Sequence, residues 1–370
     1  MNETLAGDKL FVADILATDK KIVIEKLLAG EILSENEWLI LLDSNWSHEE
    51  TEELYRIARV LREKNYDRKV FIRGLLEFTN ICRNDCYYCG LRKSNSKVNR
   101  FRLTKEELLD SAGRAYNLGF RTFVMQGGED PFFEPEMIAD IVSSMKEKYS
   151  DCAVTLSFGE HPREYYKMWK DAGANRYLLR HESVDPECYN RIHPEEMLLE
   201  NRLRCLNDLR DLGYQAGAGF MVGPPYQTMN TIAKDLSFLQ KFRPEMVGIG
   251  PFIPHEDTPF GKYAAGSTEL TLRIYSLVRI SQPEVLLPAT TALSTLDKNG
   301  QVLGMNAGAN VVMPNISPAY AKKNYMLYNG KAVTGDEDGA KLSHLKKTMA
   351  EAGYQVCVDR GDHVNFRDKA

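Results

Sequence analysis

The sequence predicts an α/β chain: a complete (βα)8 barrel of the TIM type with an N-terminal helical extension and a C-terminal cap. Three observations predict it. From about residue 70 onward, short β-branched or aromatic runs alternate with helical segments. Leu118-Gly119, Ala172-Gly173 and Leu212-Gly213 repeat one helix-stop signature, with glycine at the position that needs a positive φ. A length of 370 residues accommodates such a barrel together with extensions.

Taken in order, residues 1–66 read as helical. Residues 25–29 have helical spacing, Ser34 with Glu37 three later looks like a capping box, and 47–64 is a second amphipathic segment. Strands are expected at 70–78, 122–126, 153–158, 176–181, 215–221, 246–250, 284–289 and 310–313. Helices are expected at 105–118, 135–149, 162–172, 199–212, 228–242 and 268–279. The tail, 331–370, holds a helix at 343–352 and a polar end that caps the barrel or covers its mouth. The expected organisation is therefore an extension at 1–66, a barrel at 67–325 and a packed tail at 326–370. No repeat or low-complexity linker argues for a second core.

Apolar residues make up 43% and charged residues 27%, an ordinary soluble composition. A net charge of -5 gives no reason to expect nucleic acid or an anionic membrane as partner. No apolar run approaches the roughly eighteen residues of a membrane span. Residues 1–10 lack the basic start and apolar stretch of a signal peptide, so the cytoplasm is expected. Seven cysteines in this length do not make a disulfide framework. Four of them, Cys152, Cys188, Cys205 and Cys357, stand singly and read as small buried hydrophobes.

The other three carry the chemistry. In Asn80-Ile-Cys82-Arg-Asn-Asp-Cys86-Tyr-Tyr-Cys89-Gly90 the thiols are separated by three and two residues. Thiolates favour zinc or iron–sulfur clusters. Three from one loop can wrap three corners of a [4Fe–4S] cubane and leave one iron free as a Lewis acid. That iron can chelate the amino and carboxylate groups of S-adenosylmethionine, and one electron from the cluster then yields methionine and a 5′-deoxyadenosyl radical. The competing account is a zinc site completed by a remote Cys or His, for which no second closely spaced pair exists. Tyr88, just before the third cysteine, would flank the adenine. The loop follows the first barrel strand, at the end where barrel active sites collect.

The Cys-x3-Cys-x2-Cys run resembles the radical S-adenosylmethionine superfamily. The longer string from Val70 through Cys89 to Arg92 resembles specifically the [FeFe]-hydrogenase maturases of the HydE type, which are related to biotin synthase and 3-methylornithine synthase. The resemblance includes Gln126-Gly-Gly-Glu129-Asp-Pro131, Ser157-Phe-Gly-Glu160, Arg180-His181-Glu182, Gly217-Ala-Gly, Pro288-Ala-Thr290-Thr291 and Met313-Pro-Asn315. It implies a radical enzyme acting on an organometallic iron–carbonyl–cyanide precursor with a cysteine-derived ligand. A related mutase or sulfur-chemistry enzyme acting on an amino acid or small thiol is the alternative. It also implies a low-potential flavodoxin- or ferredoxin-type electron donor, and other hydrogenase maturases as partners.

The implied cofactor-binding residues are Tyr88, Gln126, Gly127, Gly128, Arg180, Glu182, Arg202, Met221 and Tyr325. The implied substrate cavity holds Thr155, Ser157, Thr290, Thr291, Met313 and Tyr328. Strand periodicity puts Arg180 and Glu182 on one face and His181 on the other. Only one of Thr290 and Thr291 should face the cavity. Tyr325 and Tyr328, three apart, would share a helical face. Glu129 is a polar liner or a helix-start residue, and His255 a ligand or a surface residue. Two departures from the family pattern stand out. One is the absence of accessory cysteines around 330–345, which predicts a single cluster; the other is Phe220, together with Tyr226 in the loop 224–227, as residues expected to reshape the pocket.

Overall fold

The computed structural model describes residues 12–331 and 338–369. Residues 1–10 and part of the region around 330–345, both used above, lie outside the described residues. Three helices come first: Thr18–Leu28, Glu35–Leu42 and His48–Tyr66. Ser34 and Ser47 each close a capping box, the hydroxyl accepting the N–H of Glu37 or Glu50 while that carboxylate returns to the cap N–H. Donors that a helix start leaves open are thereby satisfied. The buried face of the third helix, Leu54, Ile57 and Ala58, packs towards the helix Thr268–Ser281.

The strands are β1 (Lys69–Ile72), β2 (Gly74–Thr79), β3 (Thr122–Gly127), β4 (Ala153–Ser157), β5 (Arg176–Leu178), β6 (Gln215–Ala218), β7 (Met221–Val222), β8 (Met246–Val247), β9 (Gly250–Pro251), β10 (Val311–Val312) and β11 (Gln355–Cys357). Six form one parallel sheet in the order β2-β3-β4-β5-β6-β8, with β10-β1-β11 and β7-β9 as separate parallel ladders. Helices Lys105–Asn117, Pro135–Lys148, Arg163–Asp171, Leu199–Asp211 and Met229–Phe242 fall within two residues of their expected bounds. Gly119, Gly173 and Gly213 take φ of 97°, 110° and 76° at the three helix stops, as their signature predicts.

The parallel α/β architecture is as expected, while among the described residues no ladder closes the strands into one sheet. The expected strand 70–78 divides at Arg73, β1 pairing with β10 and β11 while β2 pairs with β3. The expected strand 284–289 forms no ladder, only isolated parallel bridges at Met246–Leu286 and Pro288–Val311; a third joins Leu75 to Asn315. The reason is local. Pro288 has no N–H to give, and the Leu287 N–H goes to the Asn310 side chain at 2.9 Å instead of a neighbouring carbonyl.

The tail covers the strand-start end and not the mouth. After the helix Asp338–Glu351, β11 pairs with β1, and Asp362 meets Arg176, the first residue of β5, at 2.6 Å. Four short helices, Pro186–Ile192, Thr291–Leu296, Gly300–Asn306 and Ala319–Asn324, were not foreseen. Among the described residues no helix is long and apolar enough to cross a membrane.

Candidate active site

The cysteine loop leaves β2 at Thr79 and is stapled from several sides. Asn80, fully buried, donates to the carbonyls of Asn99 and Asn324 at 2.9 Å each and accepts the Phe101 N–H. Arg100 donates to the carbonyls of Asn80, Leu91, Arg92 and Asn95. Asp85 binds Arg92 at 2.6 Å and Ser94, and the guanidinium holds its carboxyl well below the usual range. A loop with its carbonyls and carboxylate engaged in this way keeps three thiols in fixed places.

Cys82, Cys86 and Cys89 line a cavity of about 360 Å3 at the end where the strands finish. Burial, and then repulsion from one another, pushes Cys86 upward and Cys89 up to about 12, so three thiolates there need a cationic body to hold them. Three buried thiols that open on one cavity are a donor set that suits an iron–sulfur body. At Gly128 an added Cβ would lie 2.2 Å from the Ile81 carbonyl oxygen and 2.7 Å from Cys82 Cβ, so only glycine lets this backbone reach the cysteine loop. Gln126, Gly127, Gly128 and Glu129 all face the cavity.

A relay of acids and guanidinium groups forms the next wall. Glu129 accepts from Arg83 at 3.0 Å and from the Glu160 N–H at 2.8 Å. Glu160 binds Arg202 at 2.5 Å, and Arg202 also donates to the Arg180 carbonyl at 2.9 Å. Arg180 in turn donates to Glu182 at 2.9 Å. Arg180 and Glu182 share the cavity as expected, but not through strand alternation: β5 ends at Leu178, and Glu182 has a φ of 63°. His181 points away into the core, its Nδ1 accepting the Gly219 N–H at 3.2 Å and its Nε2 3.5 Å from Asp235.

The far wall is built from Ser157, Met221, Thr290, Thr291, Met313, Tyr325 and Tyr328. Both threonines line the cavity, because the chain turns into the helix Thr291–Leu296 at this point and strand alternation no longer applies. Tyr325 and Tyr328 both line it too, although they follow the helix Ala319–Asn324 and share no helical face. Thr155 does not line it: it is buried in β4 with its hydroxyl unpartnered. Arg180 Nε and Thr290 Oγ1 are also buried without partners, so this wall is prepared for a polar or anionic ligand.

Three other expectations are corrected. Phe220 is fully buried beside His181, and Tyr226 sits on the surface, so neither shapes the cavity. His255 is buried against Gly90, where an added Cβ would lie 2.4 Å from its ring, so it is not a surface residue, and it does not line the cavity. Cys152, Cys188 and Cys205 are buried as expected, whereas Cys357 is half-buried. Sequence reasoning missed Glu77, Lys331 and Met197 as cavity residues. Glu77 was detectable as a lone acid in the apolar strand Gly74–Thr79; Lys331 and Met197 carry no such signal.

The Radical SAM superfamily matches residues 76–239. The [FeFe] hydrogenase maturase subunit HydE of Thermotoga maritima is 43% identical over 92% of this chain and 96% of its own. The 3-methylornithine synthase of Methanosarcina acetivorans is 29% identical over 81% of this chain and 85% of its own. Among solved structures, methylornithine synthase superposes with a TM-score of 0.78 at 25% identity, covering 90% of this chain and 97% of that one. The maturase HydG superposes with a TM-score of 0.74 at 20% identity over 92% and 76%, a likeness of fold.

Proposed function

The chain belongs to the radical S-adenosylmethionine superfamily and, within it, to the HydE-type hydrogenase maturases, and on that premise we propose that its cavity binds an organometallic iron–carbonyl–cyanide precursor bearing a cysteine-derived ligand. Enzymes of this superfamily use a [4Fe–4S] cluster and S-adenosylmethionine, which together supply a 5′-deoxyadenosyl radical. The protein's own contribution is to bind, orient and enclose.

In this reading Cys82, Cys86 and Cys89 hold three corners of the cluster and leave one iron without a protein ligand. Tyr88, Gln126, Gly127, Gly128, Glu182, Arg202, Met221 and Tyr325 bind S-adenosylmethionine: Arg202 matches its carboxylate, Glu182 its ribose hydroxyls or amino group, and the glycine backbone its polar end. Arg180 spans the two ligands. Ser157, Thr290, Thr291, Met313 and Tyr328 contact the substrate, and the unpartnered Thr290 hydroxyl and Arg180 Nε receive its anionic part. Thr155 stands behind that wall.

One observation carries the proposal: three thiols and the Arg180–Glu182 pair open on the same cavity. The competing mutase or sulfur-chemistry reading drew its strength from Phe220 and Tyr226, which lie off the cavity, and is therefore set second. We further read the three isolated bridges as completing an eightfold barrel, with an extension at 1–66, the barrel at 67–325 and the tail at 326–370. Its partners would be a flavodoxin- or ferredoxin-type donor and other hydrogenase maturases, and its setting the cytoplasm.

The test is anaerobic: reconstitute the cluster, reduce it, add S-adenosylmethionine, and quantify methionine and free 5′-deoxyadenosine with and without the precursor. Strong stimulation of methionine release is expected, with the 5′-deoxyadenosyl group recovered on the ligand sulfur in place of free 5′-deoxyadenosine. Slow, unstimulated cleavage would overturn the substrate and leave the radical chemistry standing.

A further inference from the structure

Tyr88 lines the cavity, and its hydroxyl meets the ring of a residue outside it, His193, at 3.1 Å. His193 caps the C-terminal end of the helix Pro186–Ile192 and is 1% exposed. Its Nδ1 lies 3.0 Å from the Tyr189 carbonyl oxygen. A carbonyl only accepts, so Nδ1 carries the hydrogen and the Nε2 lone pair is left for the Tyr88 hydroxyl. Ring contacts fix the imidazole further: it stands edge-on to Tyr88, with centroids 5.5 Å apart, and leans on Tyr189 at 4.1 Å.

The same short segment meets consecutive positions of the cysteine loop. The Ile192 carbonyl accepts the Tyr87 N–H at 3.1 Å, and the Met197 thioether lies 3.5 Å from Cys86 Sγ. Segment 192–197 is thus a buttress touching residues 86, 87 and 88. Of these three contacts, that of Met197 meets a thiol of the cysteine loop, that of Ile192 meets backbone, and that of His193 meets the polar end of the Tyr88 side chain in the cavity wall. The Tyr88 ring packs against the apolar cluster of Ile192, Met221, Phe252 and Phe260, and the His193 contact adds a directional hold on its hydroxyl end; an end left to be ordered on ligand binding would cost affinity.

We propose that His193 is a positioning residue that holds the Tyr88 ring in place for S-adenosylmethionine by accepting its hydroxyl hydrogen at Nε2. The proposal rests on the reading that Cys82, Cys86 and Cys89 hold the cluster beside which the cofactor binds. His193 touches neither the thiols nor the cavity and acts through Tyr88.

The experiment uses the full chain, reconstituted anaerobically, as wild type, His193→Leu, His193→Gln, Tyr88→Phe and the Tyr88→Phe/His193→Leu double variant. Iron and sulfide content, S-adenosylmethionine affinity and the electron paramagnetic resonance spectrum of the reduced cluster, with and without S-adenosylmethionine, are measured. All variants should load a cluster. His193→Leu should weaken S-adenosylmethionine binding about five- to tenfold, the scale of one lost hydrogen bond, and diminish the spectral change on its addition. Glutamine, which can accept and donate in the same places, should restore both to within about twofold. Tyr88→Phe should reproduce His193→Leu, and the double variant should be no worse than either alone. Additive losses in the double variant, or a His193→Leu chain with wild-type affinity and spectrum, would overturn the proposal alone. Should His193→Leu fail to fold, Tyr88→Phe against His193→Gln still decides: wild-type behaviour of Tyr88→Phe rejects it. A wild-type chain that takes up no cluster would overturn this proposal together with the reading beneath it.

Discussion

Arg180 and Glu182 face one another across 2.9 Å in the cavity although they lie beyond the end of their strand, with a residue between them turned into the core. That residue, His181, is the anchor. Its Nδ1 takes the Gly219 N–H, its Nε2 faces the fully buried Asp235, and Asp235 also accepts the Val184 N–H at 2.7 Å. Glu182 can hold a left-handed conformation because both sides of it are pinned.

Replacing Asp235→Ala should therefore cost about 2–3 kcal/mol, because the Val184 N–H loses its buried acceptor and the His181 ring loses the carboxylate 3.5 Å from it. It should also weaken S-adenosylmethionine binding, since Glu182 is released. Denaturant titration and cofactor affinity measured on the same preparation check both halves; a loss of stability with unchanged affinity would mean the anchor does not reach the site.

Glu77 and Lys331 form a second buried pair, joining β2 to the segment that carries Tyr325 and Tyr328. Lys331 also donates to the Tyr325 carbonyl at 2.7 Å, and Glu77 accepts from Asn315 at 2.7 Å. Lys331→Met should leave an uncompensated buried carboxylate and cost about 3–5 kcal/mol, whereas Glu77→Gln combined with Lys331→Met should recover most of that. Equilibrium unfolding of the wild type and both variants gives the answer, and equal stability of the single and double variants would rule out the pairing as the cause.

The seven cysteines should separate into two groups. Cys82→Ser, Cys86→Ser and Cys89→Ser should each lose most of the cluster iron and all 5′-deoxyadenosine formation. Ser at Cys188 or Cys357 should keep iron near the wild-type level. Metal analysis after anaerobic reconstitution distinguishes them, and full iron retention in any of the first three would remove that residue from the ligand set.

A pH effect follows from His161. Burial brings its pKa down to about 4, while its unfolded value is about 6.5. Between these values the unfolded chain binds the extra proton, so stability is fully present above about pH 6.5 and falls as pH drops towards 4. The slope from this group is about 1.4 kcal/mol per pH unit. Comparing denaturant midpoints of the wild type and His161→Gln between pH 4.5 and 7 should show the wild type losing more on acidification; parallel curves would exclude it.

What was legible in the sequence is what depends on neighbours along the chain. Ser34 with Glu37 close a cap because they are one helical turn apart, Gly119 and Gly173 end helices because φ there is positive, and three thiols in eight residues must share one loop whatever surrounds them. The 43% identity to a hydrogenase maturase agrees with the family that those motifs suggested. Alternation failed where strands stop early: β5 ends at Leu178, so the faces of Arg180, His181 and Glu182 were set by a turn and by Asp235, far along the chain on the helix Met229–Phe242.

The sequence by itself determined the order of the long helices and of the central strands β2 to β6, the cysteine loop and the chemistry that loop can support. Only the tertiary structure decided that Thr155 stands behind the cavity wall, that Thr290 and Thr291 both reach it, that the tail seals the strand-start end, and that Lys331 and His193 serve the site at all. The physical reason is that hydrogen bonds along a helix or around a tight loop are fixed by spacing. The partners of a buried guanidinium, ammonium or imidazole are instead fixed by which distant segments pack against it, and burial makes finding one of them obligatory without encoding which.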